Sequence, residues 1–329
     1  MTITVAGAGM AGLVAAARLR ELGRRPRLLE KGTRAGGSML LSSCVIWRHL
    51  DWEEFRRECP DGDERLQRLI WERLDDALAW LESLGAEPVW RDTENPLTTG
   101  RRYDPRRLTS LLARDVELET ALPPGTDGPL ILATGGFPGR LARERGLLLR
   151  ANPWSEGDGL DLALARGGGT TAGMKQFYGR VMPAPPARIR EEDFVPLSQL
   201  YGREARVFAE DGAEITPARV AWHENDLAQL IGPRAWYVVE RANERIEAAR
   251  AAGGTVVERA DGTIAVHVAA AATHTIGGIA VDEQARVVGA EGLWAAGVDA
   301  GGVATGGYAS GLAQALVLGL AAAESAARS

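Results

Sequence analysis

The chain has few cysteines and almost no lysine. Two cysteines, Cys44 and Cys59, in 329 residues make neither a disulfide framework nor a metal-ligand spacing. They are expected as free thiols of a reducing compartment, and no metal site is expected. Of 38 basic residues only Lys31 and Lys175 are lysine, and the net charge is −6. No basic stripe or domain is therefore available, which argues against a dedicated nucleic-acid or anionic-membrane binder. No charged n-region and apolar h-region precede the first β-branched run, so a cytoplasmic protein without a secretory signal is expected. Ala300 to Ala323 is a run of 24 residues without a charge. Its six glycines and the polar Thr305, Tyr308, Ser310 and Gln314 make it read as a glycine-rich loop followed by a buried helix from about Ser310, not as a membrane span. Internal repeats, low-complexity tracts and a second dinucleotide fingerprint are all missing.

What is present is ordinary globular composition, 45% hydrophobic and 25% charged, which excludes a disordered or fibrous chain. A length of 329 residues suggests one large α/β domain carrying a second lobe. Forty glycines and 16 prolines exceed the usual share, and surplus glycine sits where backbone turns tightly or approaches a ligand.

The glycines begin early. Thr2 to Ala6 is a short β-branched run, followed by Gly7-Ala-Gly9-Met10-Ala11-Gly12 and then by a strong helix former from Leu13 to Leu22. Strand, glycine turn and helix in that order form a dinucleotide-binding fingerprint. Gly7 serves the tight turn, Gly9 lets the backbone reach a pyrophosphate, and Gly12 lets the helix pack on the strand. A second strand at Arg27 to Leu29 ends in Glu30, 23 residues after Gly7, near the spacing of a carboxylate that accepts from a ribose hydroxyl. NAD and FAD proteins share this first unit, so the choice between them falls to the rest of the chain.

Further glycine loops follow at strand ends: Lys31-Gly-Thr-Arg-Ala-Gly36-Gly37-Ser38, then Leu132-Ala133-Thr134-Gly135-Gly136-Phe137, and Gly292-Leu-Trp-Ala-Ala-Gly297-Val-Asp299-Ala-Gly301-Gly302. Between them lie Asn152-Pro-Trp-Ser-Glu-Gly157-Asp158-Gly159, Gly173-Met-Lys-Gln-Phe-Tyr178-Gly179 and His274-Thr-Ile-Gly277-Gly278. In this order the motifs resemble the flavoproteins of the succinate dehydrogenase and fumarate reductase type, a family that also includes soluble aspartate oxidases, ketosteroid dehydrogenases and tricarballylate-type dehydrogenases. The resemblance runs through nearly the whole chain. It implies an α/β fold in which a Rossmann-like FAD-binding domain of the glutathione-reductase type, residues 1–178 and 262–329, carries an inserted α+β capping domain at 179–261. It also implies non-covalent FAD, because Ser38 stands where covalent members carry a histidine. The FAD-lining residues it implies are Gly7, Gly9, Met10, Ala11, Gly12, Glu30, Lys31, Gly36, Gly37, Ser38, Val116, Ala133, Thr134, Gly135, Asp158, Gly278, Gly297, Asp299, Ser310, Gly311 and Leu312.

Elsewhere, the apolar spacing from Leu66 to Leu84 predicts an amphipathic helix, and Arg234 to Ala252 reads as helical after Gly232-Pro233, with Gly253-Gly254 ending it. His49 and His267 lie in no motif and are expected at the surface. The chemistry implied by the resemblance interconverts CH–CH and C=C beside a carbonyl or carboxylate, a dehydrogenase or ene-reductase reaction with hydride exchanged at the flavin. The catalytic candidates are His274 in His-x-x-Gly-Gly, Tyr308 in the last glycine loop, Tyr178 where the cap begins, and His223 and Glu224 in the cap. Two departures from fumarate reductases stand out: Glu224 occupies the place of their cap arginine, and Thr305 to Tyr308 that of their second arginine. Without two guanidinium forks a dicarboxylate loses its bidentate clamp, so a ketone, enone or monocarboxylate is the expected small-molecule substrate. With one nucleotide fingerprint, the electrons must come from or go to a separate small molecule, oxygen or a protein. A non-catalytic flavoprotein or an FAD-binding electron-transfer subunit stays open as the alternative.

Overall fold

The computed structural model describes residues 2–93, 95–122, 126, 128–217 and 223–329. Contacts divide the chain into two compact units, the first Met1–Phe137, Asn152–Gln176 and His274–Ser329, the second Pro138–Ala151 and Phe177–Thr273. Segments 138–151, 177–178 and 262–273 thus fall in the second unit, whereas the sequence reading places them in the first. In chain order the strands are β1 (Thr4–Ala6), β2 (Arg27–Leu29), β3 (Val45–His49), β4 (Pro88–Trp90), β5 (Thr98–Tyr103), β6 (Val116–Glu117), β7 (Leu130–Leu132), β8 (Leu148–Leu149), β9 (Phe177–Pro183), β10 (Arg206–Phe208), β11 (Ala235–Val239), β12 (Val256–Glu258), β13 (Ile264–Thr275) and β14 (Leu293–Ala295). The helices are α1 (Met10–Glu21), α2 (Trp52–Glu58), α3 (Glu64–Ser83), α4 (Pro105–Leu112), α5 (Pro138–Arg145), α6 (Asp158–Ala165), α7 (His223–Leu230), α8 (Glu244–Ala251) and α9 (Gly311–Ala326).

The first unit is built on a parallel sheet in the order β14-β7-β1-β2-β6. β1 and β7 at its centre are buried along their whole length, and apart from Thr4 their residues are apolar, as a parallel sheet covered on both sides requires. α1 and α9 pack together where Gly319 faces α1, since a Cβ there would meet the Ala11 carbonyl oxygen at 2.8 Å. A small antiparallel sheet, β3-β5-β4, supports the loops around the start of α9, as described below. α3 is the amphipathic helix read from the sequence, capped by Asp63, with Leu66, Ile70, Leu74, Leu78 and Leu81 buried. No helix among the described residues is long and apolar enough to cross a membrane.

The second unit is centred on the antiparallel run β10-β11-β13-β12, with β8 and β9 also pairing β13. The stretch expected as a single helix from Arg234 contains β11, paired antiparallel with β13 from Ala235↔Val268 to Val239↔Ile264. α8 begins only after Asn243, whose side chain accepts from the Arg245 and Ile246 amides. Ala-Trp-Tyr-Val-Val is a β-branched and aromatic run, and ladder pairing with β13 overrides any extension of the helix backwards. α7 packs on β9: Asn225 Oδ1 accepts the Gly179 amide at 3.1 Å, and Gln229 Nε2 donates to the Phe177 carbonyl.

Candidate functional site

The fingerprint glycines take three distinct roles. Gly7 has φ +102, and a Cβ there would lie 2.2 Å from the Ala133 carbonyl oxygen. At Gly12 it would lie 1.8 Å from the Gly7 carbonyl oxygen, which fixes the helix against the turn. Gly9 differs, because an added Cβ meets nothing nearer than Gly37 Cα at 3.9 Å. It is the N-cap of α1, offers no side-chain cap, and the first turn holds no acidic residue. A helix start without a side-chain cap, with open space above its capping glycine, is suited to a phosphate: it offers main-chain N–H donors at the positive end of the helix dipole.

Around this seat the loops are cross-braced. Glu30, 5% exposed, accepts the Ala8 amide at 2.9 Å and the Gly32 amide at 2.7 Å. The Gly36 amide donates to the Ala8 carbonyl at 2.7 Å, and Gly36 and Gly37 have φ of +107 and +51, which glycine adopts without strain. Ser38 Oγ accepts the Asn152 amide at 3.0 Å. Lys31 and Asp158 pair with one another at 2.6 Å, and the Trp154 indole covers Gly32, where a Cβ would lie 2.4 Å from the ring. Met10, Ala11 and Ala133 are buried, and Val116 sits half-buried on β6 beside β2.

At the end of β7, Thr134 and Gly135 turn past Asp299. The buried Asp299 carboxylate accepts the main-chain amide and the hydroxyl of Thr134 and the Gly136 amide at 3.0 Å. Burial pushes its pKa up, against the effect of these donors. The resemblance implied Asp299 as a residue lining the cofactor; the geometry gives it the further task of binding the β7 loop to the loop after β14. Gly297 takes φ +63 and its carbonyl accepts from Gln314 Nε2 at 2.8 Å, joining that loop to α9. Gly278 and Gly301 interlock: a Cβ on Gly301 would lie 2.0 Å from the Gly278 amide nitrogen.

The start of α9 gathers the remaining candidates of the first unit. Ser310 caps the helix, accepting the Ala313 amide at 3.2 Å, and Leu312 is half-buried in its first turn. The half-buried His274 imidazole lies against Gly311, where a Cβ would be 3.1 Å from its Cε1. Tyr308, two residues before the cap, is half-buried with its ring tilted against Trp47, 5.5 Å between centroids. His274 and Tyr308 therefore flank the same helix start. In the second unit, Tyr178 is 7% exposed, with the Arg180 guanidinium 5.9 Å from its ring centroid. His223 and Glu224 open α7; their side chains lie outside the described residues.

Two residues of this region escaped the sequence reading. Trp47 and His49 alternate on β3, and the Trp47 amide donates to Ser310 Oγ at 3.4 Å. His49, expected at the surface, is 1% exposed, with its ring against Trp47 and Phe55. Its burial comes from the β3–β5 pairing and from α2, neither of which a lone histidine signals. A same-face alternation Val45, Trp47, His49 was the one available hint. His267 is largely covered and bonds Glu210 Oε1 through Nε2 at 2.7 Å, its ring stacked on Trp236.

Comparison with known proteins adds to this geometry. A family model described as an NAD(P)-binding Rossmann-like domain matches residues 5–42, the βαβ unit that NAD and FAD proteins share. A model described as an FAD binding domain matches residues 125–311. No curated protein sequence matches the chain. Among solved structures, a flavocytochrome c3 fumarate reductase in its open conformation is similar with a TM-score of 0.74 at 19% identity, over 99% of this chain and 78% of that one. A 3-ketosteroid-Δ4-(5α)-dehydrogenase from Rhodococcus jostii RHA1 gives 0.70 at 17%, over 99% and 96%. A 3-ketosteroid Δ1-dehydrogenase from Sterolibacterium denitrificans gives 0.69 at 13%, over 99% of both chains. At these identities the likeness is one of fold.

Proposed function

We propose, from the premise that the chain belongs to the FAD binding domain family, that it is an oxidoreductase acting on a C–C bond beside a carbonyl. Its cofactor is FAD, and the residues present fit that group. The open helix start at Gly9 suits the pyrophosphate, Glu30 the ribose, and the loops at Thr134 and at Gly297 to Leu312 the rest of the molecule. When bound, FAD supplies hydride exchange with a substrate carbon. The protein must supply donors for the enolate-like charge and a group that moves the proton at the neighbouring carbon.

The observation that carries this reading is the pairing of His274 and Tyr308 at one helix start, the His274 ring against Gly311 and Tyr308 two residues before the Ser310 cap. An imidazole N–H and a phenol O–H offer two single donors to a carbonyl oxygen, and neither is a fork for a carboxylate. A ketone or enone therefore suits them better than a dicarboxylate. Both solved ketosteroid dehydrogenases were determined with steroid ketones bound, which agrees with that substrate class. Tyr178, His223 and Glu224 are the proposed sources of the proton-transfer group.

The test is an anaerobic screen. The photoreduced holoprotein is mixed with cyclic and acyclic enones, α,β-unsaturated monocarboxylates and fumarate, and the oxidised holoprotein with the saturated counterparts, following the flavin absorbance. Rapid reoxidation or bleaching by an enone or ketone supports the reading. Response to fumarate alone would overturn the substrate class, and response to none, with exchange only to a protein or quinone acceptor, would favour an electron-transfer subunit.

A further inference from the structure

β3 carries two aromatic side chains on one face, and one of them touches the Tyr308 ring. The Trp47 ring meets the Tyr308 ring at 5.5 Å and 58°, while the same residue's amide donates to Ser310 Oγ at 3.4 Å. His49, two residues further along the strand, is 1% exposed. It is packed edge-on to Trp47 at 5.3 Å and tilted to Phe55 at 5.4 Å. The strand under both is itself anchored: Trp71 Nε1 donates to the His49 carbonyl at 3.0 Å, and β3 pairs with β5 over its whole length.

We infer that Trp47 and His49 are positioning residues for Tyr308, the indole setting the plane of its ring and the imidazole, packed edge-on to the indole, holding that indole in place. This rests on the proposed role of Tyr308 for its catalytic meaning, but the contacts exist whether or not that role is right. A residue in a glycine-rich loop, with Gly306 and Gly307 just before it, has little conformational restraint of its own. Fixing a donor to within a few tenths of an ångström then falls to neighbours whose own positions are set by packing. β3 is such a neighbour, held by a ladder on one side and by α2 and α3 on the other. The fixed, buried position of His49 thus acquires a purpose that neither the fingerprint nor the FAD loops supply.

The experiment uses 3-fluorotyrosine incorporated into the five tyrosines of the holoprotein. Tyr308→Phe assigns the Tyr308 fluorine signal. His49→Ala removes the ring that packs on Trp47, whereas His49→Phe keeps an aromatic ring of similar size there. The Tyr308 signal is expected to shift or broaden in His49→Ala and in Trp47→Leu and to stay close to wild type in His49→Phe, with FAD content unchanged in all three. Where a substrate is in hand, kcat should fall about tenfold or more in His49→Ala with little change in KM, and recover in His49→Phe. An unmoved Tyr308 signal in folded His49→Ala and Trp47→Leu overturns the inference. Should His49→Ala fail to fold, Trp47→Leu alone decides by the same signal. If Tyr308→Phe keeps full activity while the fluorine signals behave as expected, the catalytic role of Tyr308 fails and the positioning stands.

Discussion

Glu30 reaches back across the first turn to Ala8, its Oε2 accepting the Ala8 amide at 2.9 Å. The other oxygen takes the Gly32 amide at 2.7 Å. One buried carboxylate thus fixes the glycine turn after β1 and the loop after β2, and retains lone pairs for a ribose hydroxyl. Cofactor affinity and local stability are coupled in this residue.

Replacing Glu30 by Ala should therefore weaken both. Each hydrogen bond to a charged group contributes about 1.5 to 3 kcal/mol, so FAD affinity should fall roughly 10- to 100-fold, with a lower melting temperature for the apoprotein as well. Titration of the apoprotein with FAD and a melting curve read the two effects. Wild-type values in both would remove the assignment.

The three fingerprint glycines should separate in mutation. Gly9 is extended, at φ −77 and ψ −174, and has open space above it, so Gly9→Val should fold with modest loss and bind no flavin. Gly12→Val must displace the Gly7 carbonyl, 1.8 Å from the new Cβ, and should lose the fold itself. Melting temperature and bound-flavin ratio for each variant distinguish a binding defect from a folding one, and equal behaviour of the two would contradict the geometry.

His49 makes stability depend on pH. Burial lowers its pKa from the ordinary 6.5 to about 4, so the unfolded chain binds the proton more readily than the folded one. This group's contribution is fully present above about pH 6.5 and lost as pH falls towards 4, amounting to about 2 to 3 kcal/mol. Urea unfolding at pH 7 and pH 4.5 should show that difference shrink in His49→Gln. A pH dependence identical to wild type would mean that the ring is not buried neutral.

The flavin should be held without a covalent bond. Ser38 stands at the position expected for an attachment histidine and is engaged with the Asn152 amide at 3.0 Å. Acid precipitation is expected to release all yellow colour to the supernatant; colour left in the pellet would contradict this.

If His274 and Tyr308 hold a carbonyl oxygen, then His274→Gln and Tyr308→Phe should each slow substrate-dependent flavin reduction or reoxidation by roughly 10² to 10³-fold, the loss typical of one oxyanion-type donor. FAD content should stay near wild type. Full rate in both variants would shift the search to Tyr178, His223 and Glu224, and joint loss of rate and flavin would make the pair part of the cofactor loop.

The sequence by itself determined the first βαβ unit, because each of its interactions spans few residues. The Gly7 turn, the Gly9 cap and α1 follow one another directly, and Glu30 closes the unit 22 residues after Ala8. α3 and α9 were legible for the same reason, as a helical apolar stripe and as an uncharged run after glycines. β11 was not, since α8's helix-forming residues extend smoothly back to it in sequence, and the choice of strand depends on a partner, β13, far along the chain. The surroundings of Tyr308 were equally hidden. Its partners Trp47 and His49 lie some 260 residues earlier, brought near by a small sheet whose register carries no mark in the local pattern. Local chemistry thus fixed the cofactor turn, whereas tertiary packing decided which histidine is buried and which aromatic ring faces the candidate donor, because burial is a property of the partners and not of the residue.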